Sequence, residues 1–215
     1  MCGICGFYSR QDQSPGENIR SMAEVLTHRG PDDSGVWLDD SSGIAFGFRR
    51  LSIIELTRAG AQPMVSHGGR YVLVFNGEIY NHLDLREDLE KEAKQIPWRG
   101  RADTETLLAC IEAWGLQKTL PMLNGMFAFG LWDKQDRSLS LVRDRIGIKP
   151  LYYGWQGGTF LFGSELKCLR KHPAWRGEID RDALTLFLRF GYVPSPWSIY
   201  QGIQKLPPGH CITVS

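Results

Sequence analysis

Pairs of short apolar runs separated by tight polar turns constrain the fold of this chain more than any other feature. Residues 126–132 and 139–143 flank one such turn, and residues 151–155 and 159–162 flank a second one, which is rich in glycine. Strands joined by turns this short pair antiparallel. Helical spacings fall between groups of strands and not after every strand, which argues against a doubly wound parallel sheet. The sequence therefore predicts an α+β fold of packed layers with largely antiparallel sheets.

The other periodicities place further elements. Strands are predicted at 3–8, 36–38, 44–48 and 71–75. A first helix carries Ile19, Met22, Val25 and Leu26; a second carries Leu85, Leu89 and Ala93 with Asn81 as its cap; and a third is opened by Asp103. After Asp180 a short amphipathic helix precedes two proline-rich stretches. This change predicts one domain over residues 1–180 and a connecting segment over 181–215.

The charge and cysteine content narrow the classes of partner and compartment. The chain has 25 basic and 24 acidic residues and no basic block, so no nucleic-acid partner is expected. No apolar run approaches the length that spans a bilayer, so no membrane partner is expected either. The 5 cysteines are scattered and no secretory leader precedes them, which predicts a reducing, cytoplasmic location.

Cys2 is a candidate nucleophile because of its position. If Met1 is removed, the thiol and the α-amine of the chain belong to one residue, and the amine titrates near neutral pH. Such an amine can act as the base for the adjacent thiol. The alternative is a redox or metal pair with Cys5. A zinc site would need two further ligands, and residues three apart on a strand face opposite sides, so this alternative is the weaker one.

Four polar residues and one glycine elsewhere are ambiguous by themselves. Asn76 and Gly77 follow a predicted strand and could form an oxyanion hole, although an Asn-Gly hairpin turn is the better local interpretation. Arg50 could bind a carboxylate, or it could be a surface charge. Asp103 and Glu78 could accept from an ammonium group, and Asp103 could equally be a helix N-cap.

Eight short motifs in order along the chain reduce this ambiguity. Each is weak alone, and the ordered set is specific: Met1-Cys2-Gly3-Ile4, His28-Arg29-Gly30-Pro31-Asp32, Arg50-Leu51-Ser52-Ile53, Gly60-Ala61-Gln62-Pro63-Met64, Asn76-Gly77-Glu78-Ile79-Tyr80-Asn81, Asp103-Thr104-Glu105, Leu123-Asn124-Gly125-Met126-Phe127-Ala128 and Arg143-Asp144-Arg145-Ile146-Gly147-Ile148-Lys149-Pro150-Leu151-Tyr152. Together they resemble the glutaminase domain of glutamine-hydrolysing asparagine synthetases, over essentially the whole chain.

The resemblance implies a four-layer αββα sandwich of the N-terminal-nucleophile hydrolase type. It implies that Cys2 attacks the glutamine carboxamide, and that the Asn76 side chain and the Gly77 N–H hold the oxyanion. It further implies that Arg50 binds the α-carboxylate of glutamine, and that Asp103 and Glu78 hold its α-ammonium. The backbone around Ile53 would help to shape the pocket.

The resemblance also implies what else the reaction needs. The glutaminase half would use no metal and no organic cofactor. ATP and Mg²⁺ would belong to a C-terminal synthetase domain that amidates aspartate, whose Ser-Gly-Gly-type phosphate loop does not occur in this sequence. L-glutamine and that domain are the expected partners, and a homodimer is left open.

Two alternatives remain at this point. The same glutaminase could feed a different acceptor, for example in sugar-polymer biosynthesis, because the acceptor site lies in the other domain. The chain could also be a non-catalytic scaffold module. The presence of Cys2, Arg50, Asn76, Gly77 and Asp103 argues against a scaffold.

Overall fold

The computed structural model describes residues 1–53, 55–92 and 96–215. Over these residues eleven strands are assigned: β1 Gly3–Tyr8, β2 Asp33–Asp39, β3 Ile44–Arg50, β4 Met64–Val65, β5 Tyr71–Ile79, β6 Gly125–Asp133, β7 Ser138–Arg143, β8 Tyr152–Gln156, β9 Thr159–Gly163, β10 Ile203–Lys205 and β11 Cys211–Val214. The helices are α1 Pro15–Glu24, α2 His82–Glu92, α3 Asp103–Trp114, α4 Leu116–Thr119, α5 Leu166–Leu169 and α6 Arg181–Phe190, with 3₁₀ turns at Arg58–Gly60 and Leu120–Met122.

The strands form two sheets, and every pairing between these strands is antiparallel. The six-stranded sheet has the order β10-β8-β9-β1-β3-β2, and the five-stranded sheet has the order β11-β7-β6-β5-β4. The two hairpins expected from tight turns are β6–β7 and β8–β9. The α+β prediction with antiparallel sheets is therefore confirmed.

Three apolar clusters separate four layers. One cluster lies between the sheets and includes Phe46, Trp132 and Phe162. A second packs α1 and α5 on the outer face of the six-stranded sheet, and a third packs α2 and α3 on the outer face of the five-stranded sheet. Each large side chain that is fully buried in this way contributes roughly 1.5–3 kcal/mol. The resulting order of layers is αββα, as the resemblance implied.

Side-chain alternation along β1 decides which face each of its cysteines uses. Cys5 and Phe7 belong to the cluster under α1, whereas Ile4 and Tyr8 belong to the cluster between the sheets. Cys2 packs against the cluster between the sheets. The two cysteines therefore face opposite sides of the sheet and are both free thiols, which contradicts the alternative of a redox or metal pair.

The strand expected to end at residue 75 continues to Ile79. Asn76, Gly77 and Glu78 lie inside β5 and pair with β6, so the hairpin-turn interpretation of Asn-Gly is wrong. Asn and Gly favour turns locally, but the long antiparallel pairing with β6 overrides that preference. As a result, the side chains of Asn76 and Glu78 point to one face of the sheet.

Two helix starts also differ from expectation. Asp103 is the first residue of α3 and Ala102 occupies the N-cap position, so the N-cap role of Asp103 is wrong. Asn81 precedes α2, but its side chain binds the loop before β6: it accepts from Asn124 N at 2.9 Å. Ala93, assigned to α2 by spacing, lies outside the described residues.

The last part of the chain packs on both sheets. The Asp180 carboxylate caps α6 by accepting from Asp182 N and Ala183 N, at 2.9 and 3.0 Å. β10 then pairs with β8 in the six-stranded sheet, and β11 pairs with β7 in the other. Within the described ranges, no helix combines the length and apolar character needed to cross a membrane.

Candidate active site

A cavity of about 230 Å³ lies where β1 and β3 of one sheet face β5 of the other. It is lined by every residue that the sequence singled out: Cys2, Arg50, Ile53, Asn76, Gly77, Glu78 and Asp103. These residues come from four separate segments of the chain, so no local pattern could have shown that they meet. Ile53 is 60% exposed and lies at the rim, and the others form the wall.

Cys2 is held in this cavity by the backbone of Leu51. The thiol donates to Leu51 O at 3.6 Å, and its sulfur accepts from Leu51 N at 3.4 Å. Burial raises the pKa of the Cys2 thiol, while the contact with Leu51, the positive chain terminus and Arg50 act to lower it. The Leu51 N–H can remain bonded when the sulfur is ionised, since an anionic sulfur still accepts.

Arg29 fixes the main chain of the same residue, a role that the sequence did not assign to it. Its Nε donates to Cys2 O at 2.9 Å, and a second nitrogen donates to Glu165 at 2.9 Å. Although burial raises it, hydrogen bonds from Arg29, His28 and Lys167 lower the pKa of Glu165 to about 2. The start of β1 is thus tied to the loop before β2 and to the residue before α5. The motif around His28 was the only sequence signal for this network.

Asn76 presents an unusual buried amide. Its side chain is 1% exposed, and among the described residues nothing accepts a hydrogen bond from its Nδ2. Leaving a buried amide unpaired costs about 1–3 kcal/mol, so such a group calls for an explanation. Because Asn76 lines the cavity, the explanation that fits is a ligand atom that accepts from Nδ2 there.

Packing against β6 requires a glycine at position 77, apart from any contact that Gly77 makes with a ligand. A Cβ at this position would collide with Met126 O and would lie 2.7 Å from Phe127 Cα. The close approach of β6 therefore requires glycine. Gly77 also lines the cavity.

Arg50 is buried, at 7% exposure, so the interpretation as a surface charge is wrong. Its guanidinium donates to Thr57 O at 2.9 Å and to Glu55 O. An arginine has five donors, and two carbonyls leave several of them for a ligand. The loop that supplies these carbonyls is ordered by Glu55, whose carboxylate accepts from Thr57 Oγ1 at 2.6 Å.

Asp103 is the buried acid of the site. Its two oxygens accept from Ile79 N and Thr104 N, at 2.9 and 2.8 Å. Burial raises the pKa of Asp103, and these backbone hydrogen bonds oppose that shift. Glu78 lies on β5 and lines the same cavity, so the wall carries two carboxylates as well as the guanidinium of Arg50.

Comparisons with known proteins identify the family of this chain. A family model described as "Glutamine amidotransferase domain" matches residues 1–215. Asparagine synthetase [glutamine-hydrolyzing] 3 of Bacillus subtilis is 36% identical over 220 residues, covering 100% of this chain and 35% of that protein. Asparagine synthetase [glutamine-hydrolyzing] 1 of the same organism is 39% identical over 218 residues, covering 100% and 33%. The chain thus spans about a third of the length of these relatives.

One further relative and one solved structure match at lower identity. The amidase chry2 of Gibberella zeae is 31% identical over 224 residues, covering 98% of this chain and 32% of that protein. Among solved structures, a glutamine phosphoribosylpyrophosphate amidotransferase from B. subtilis aligns with a TM-score of 0.65 at 20% identity. That alignment covers 79% of this chain and 43% of the other, and it supports the fold.

Proposed function

The chain belongs to the glutamine amidotransferase domain family, and on that premise we propose that it hydrolyses L-glutamine to glutamate and ammonia with Cys2 as the nucleophile. The observation that carries the proposal is that one cavity holds the Cys2 thiol together with a buried guanidinium, a buried carboxylate and a buried amide that has no partner among the described residues. Those groups complement the carboxylate, the ammonium and the developing oxyanion of an amino-acid amide.

Substrate binding follows from the charges of the wall. The remaining donors of Arg50 bind the α-carboxylate of glutamine in a forked arrangement. Asp103 and Glu78 accept from its α-ammonium, and the backbone at Ile53 closes the rim. With both ends of the amino acid held, the side-chain carboxamide is directed at the Cys2 sulfur, which supplies the orientation that the reaction needs.

Acylation uses the α-amine of Cys2 as the base once Met1 has been removed. The amine takes the thiol proton, the sulfur attacks the carboxamide carbon, and a C–S bond forms. The oxyanion of the tetrahedral intermediate accepts from Asn76 Nδ2 and from the Gly77 N–H. The α-ammonium then gives its proton to the leaving nitrogen, the C–N bond breaks, and ammonia departs.

In deacylation water is the nucleophile and the Cys2 sulfur is the leaving group. The same amine takes a proton from water, and the resulting hydroxide attacks the glutamyl thioester at the carbonyl carbon. The C–S bond breaks, glutamate leaves, and the sulfur recovers its proton from the ammonium. Because the chain supplies the nucleophile, base and oxyanion donors, we propose that this hydrolysis needs no metal and no organic cofactor.

The ammonia has a proposed destination in a longer protein. Since the relatives are about three times as long and two of them are asparagine synthetases, we propose a C-terminal ATP-dependent synthetase domain that amidates aspartate and carries the ATP and Mg²⁺. The exposed apolar face formed by Leu184, Phe187 and Leu188 of α6 offers a surface for it. A different acceptor is the second candidate, favoured by the similarity to the amidase chry2.

The free thiols support a location for this activity. All five cysteines are unpaired, and thiols persist in reducing compartments. We therefore place the hydrolysis in the cytoplasm.

The proposal is tested by assaying glutamate and ammonia from glutamine in protein whose intact mass shows that Met1 is absent. We expect equal amounts of the two products from the unchanged chain, and none above background from Cys2→Ala. Cys211→Ala is the matched control, because Cys211 is a second half-buried free thiol that does not line the cavity. Turnover by a correctly folded Cys2→Ala sample would contradict the mechanism.

A further inference from the structure

The loop between β7 and β8 is held by an unusual number of backbone contacts. Asp144 is fully buried, and its carboxylate accepts from four backbone N–H groups, those of Phe127, Ile146, Ile148 and Lys149. The guanidinium of Arg143 donates to three carbonyls, those of Gly147, Lys149 and Leu206, each at 2.7 Å. Seven hydrogen bonds thus fix the conformation of residues 144–149.

This rigid loop places Lys149 in the wall of the cavity that contains Cys2. Lys149 is 5% exposed, and among the described residues no side chain forms an ion pair or hydrogen bond with its ammonium group. Burying a cation without a partner costs free energy. An anion that forms beside it during function would explain why the protein keeps the cation there. The sequence contained Lys149 within a motif but gave it no role.

The charges around Lys149 indicate which anion that is. Burial lowers the pKa of Lys149, while negative charge on Glu78, on Cys2 and on Asp144 raises it and Arg29 lowers it further. The other charged groups facing the sulfur are the chain terminus, Arg50 and Asp103. Of these groups Cys2 is the nucleophile, and its negative charge appears only when it is activated.

We propose that the Lys149 ammonium, which lines the same cavity as Cys2, stabilises the thiolate of Cys2 electrostatically. The inference rests on the proposed function, since it concerns the activation of the same nucleophile. It explains why a loop fixed by seven hydrogen bonds carries into the cavity a cation that has no partner among the described residues. It also supplies a positive charge that offsets the burial of the sulfur, beside the α-amine and Arg50.

The test measures the ionisation of Cys2 without glutamine. The rate of alkylation by iodoacetamide is followed as a function of pH by mass spectrometry of the Cys2 peptide, with Cys211 in the same molecule as the internal reference. All samples have the same Met1 status by intact mass. We expect Lys149→Met to slow alkylation of Cys2 at neutral pH roughly tenfold, equivalent to a rise of about one pKa unit. Lys149→Arg should retain most of the reactivity.

The control is Lys205→Met, because Lys205 is a partly buried lysine outside the cavity, and we expect it to leave Cys2 unchanged. If Lys149→Met does not fold, Lys149→Gln replaces it. An unchanged pH profile in the folded variant would overturn the proposal even if the unchanged chain hydrolyses glutamine. A raised KM with an unchanged profile would move Lys149 to substrate binding through Glu78. A shifted profile in a chain that releases no ammonia would support the inference while contradicting the proposed function.

Discussion

Two buried polar clusters lie at opposite ends of β1, and they differ in whether their members are paired. The cavity cluster lies at the N-terminal end of the strand and contains Cys2, Asn76 and Lys149. The second cluster, which we call the His172 cluster, consists of Asp12, Asn18 and His172 and lies just beyond the other end of the strand. A six-residue strand separates them, which is roughly 20 Å.

In the His172 cluster the polar atoms find partners within the protein. His172 Nε2 donates to Asp12 at 2.9 Å, and its Nδ1 accepts from Ala174 N at 3.1 Å, which assigns the neutral tautomer with the proton on Nε2. Asp12 also accepts from Asn18 Nδ2 at 2.9 Å. Such a satisfied network ties the segment before α1 to the residues after α5, and it stabilises the fold.

In the cavity cluster the amide of Asn76 and the ammonium of Lys149 lack partners among the described residues. Both burials cost free energy in the unliganded protein. The comparison teaches that a buried polar group with complete pairing indicates structure, whereas one without pairing at a cavity indicates a ligand or a transient charge. Substitutions should therefore separate the two clusters: the cavity should lose activity, and the His172 cluster should lose stability.

The largest effect is expected for Asn76→Ala. Loss of one oxyanion donor should lower kcat roughly 10²–10³-fold, or about 2.7–4 kcal/mol, with little change in KM. Thermal unfolding should be close to that of the unchanged chain, because Nδ2 has no partner to lose among the described residues. Steady-state kinetics and calorimetry check both parts. An effect confined to KM, or a large loss of stability with normal kcat, would remove the oxyanion role.

Arg50→Lys should have a smaller effect, and it should appear in KM. The lysine keeps the charge but loses the fork that binds a carboxylate at two points, which should raise KM roughly tenfold. Arg101→Lys is the matched control, since Arg101 is exposed and does not line the cavity. Unchanged kinetics in Arg50→Lys would show that this buried arginine serves only the loop around Glu55.

The sequence predicted the layers better than it predicted the details of the site. Tight turns were sufficient to predict antiparallel sheets, and β1 has the predicted bounds because its sequence is a short apolar run that is buried throughout. β5 was cut short because local Asn-Gly propensity says nothing about the pairing with β6. β10 and β11 have three and four residues, too short for a periodic pattern.

The candidate site residues came from ordered motifs, and their shared cavity depends on long-range packing. Lys149 and Arg29 stood inside motifs and still had no role, because their roles depend on where a loop backbone is held. The contacts of Asp144 and Arg143 that hold the Lys149 loop join residues up to 63 positions apart. Propensity and spacing carry no information at that range.

His172→Gln should have the smallest effect on activity, because it should change only stability. Removing the imidazole takes one of its donors from Asp12, which should cost about 1–3 kcal/mol of the free energy of unfolding, with kcat and KM unchanged. Burial lowers the pKa of His172 below its ordinary value of 6.5, although Asp12 acts in the other direction. The unfolded chain therefore binds a proton that the folded chain resists.

This linkage sets the sign of a pH dependence. Stability of the unchanged chain should fall as the pH drops below about 6.5, since the unfolded state then gains the proton first. His172→Gln should remove that part of the slope. Denaturant titrations at neutral and mildly acidic pH measure it. If the free energy of unfolding had the same pH dependence in both proteins, or if His172→Gln lost glutamine hydrolysis, the proposed difference between the two clusters would be contradicted.

The most direct test of the central claim compares chains with and without Met1. The proposed base is the α-amine of Cys2, which is an amide nitrogen while Met1 is attached, and Met1 itself lines the cavity. Intact mass gives the fraction of processed chain in each preparation, and ammonia release gives its turnover. We expect activity in proportion to the processed fraction, with at least roughly 10²-fold less in chains that keep Met1, the smallest contribution usual for a general base. Full turnover by a preparation in which every chain retains Met1 would contradict the terminal-amine mechanism and leave Cys2 in need of another base.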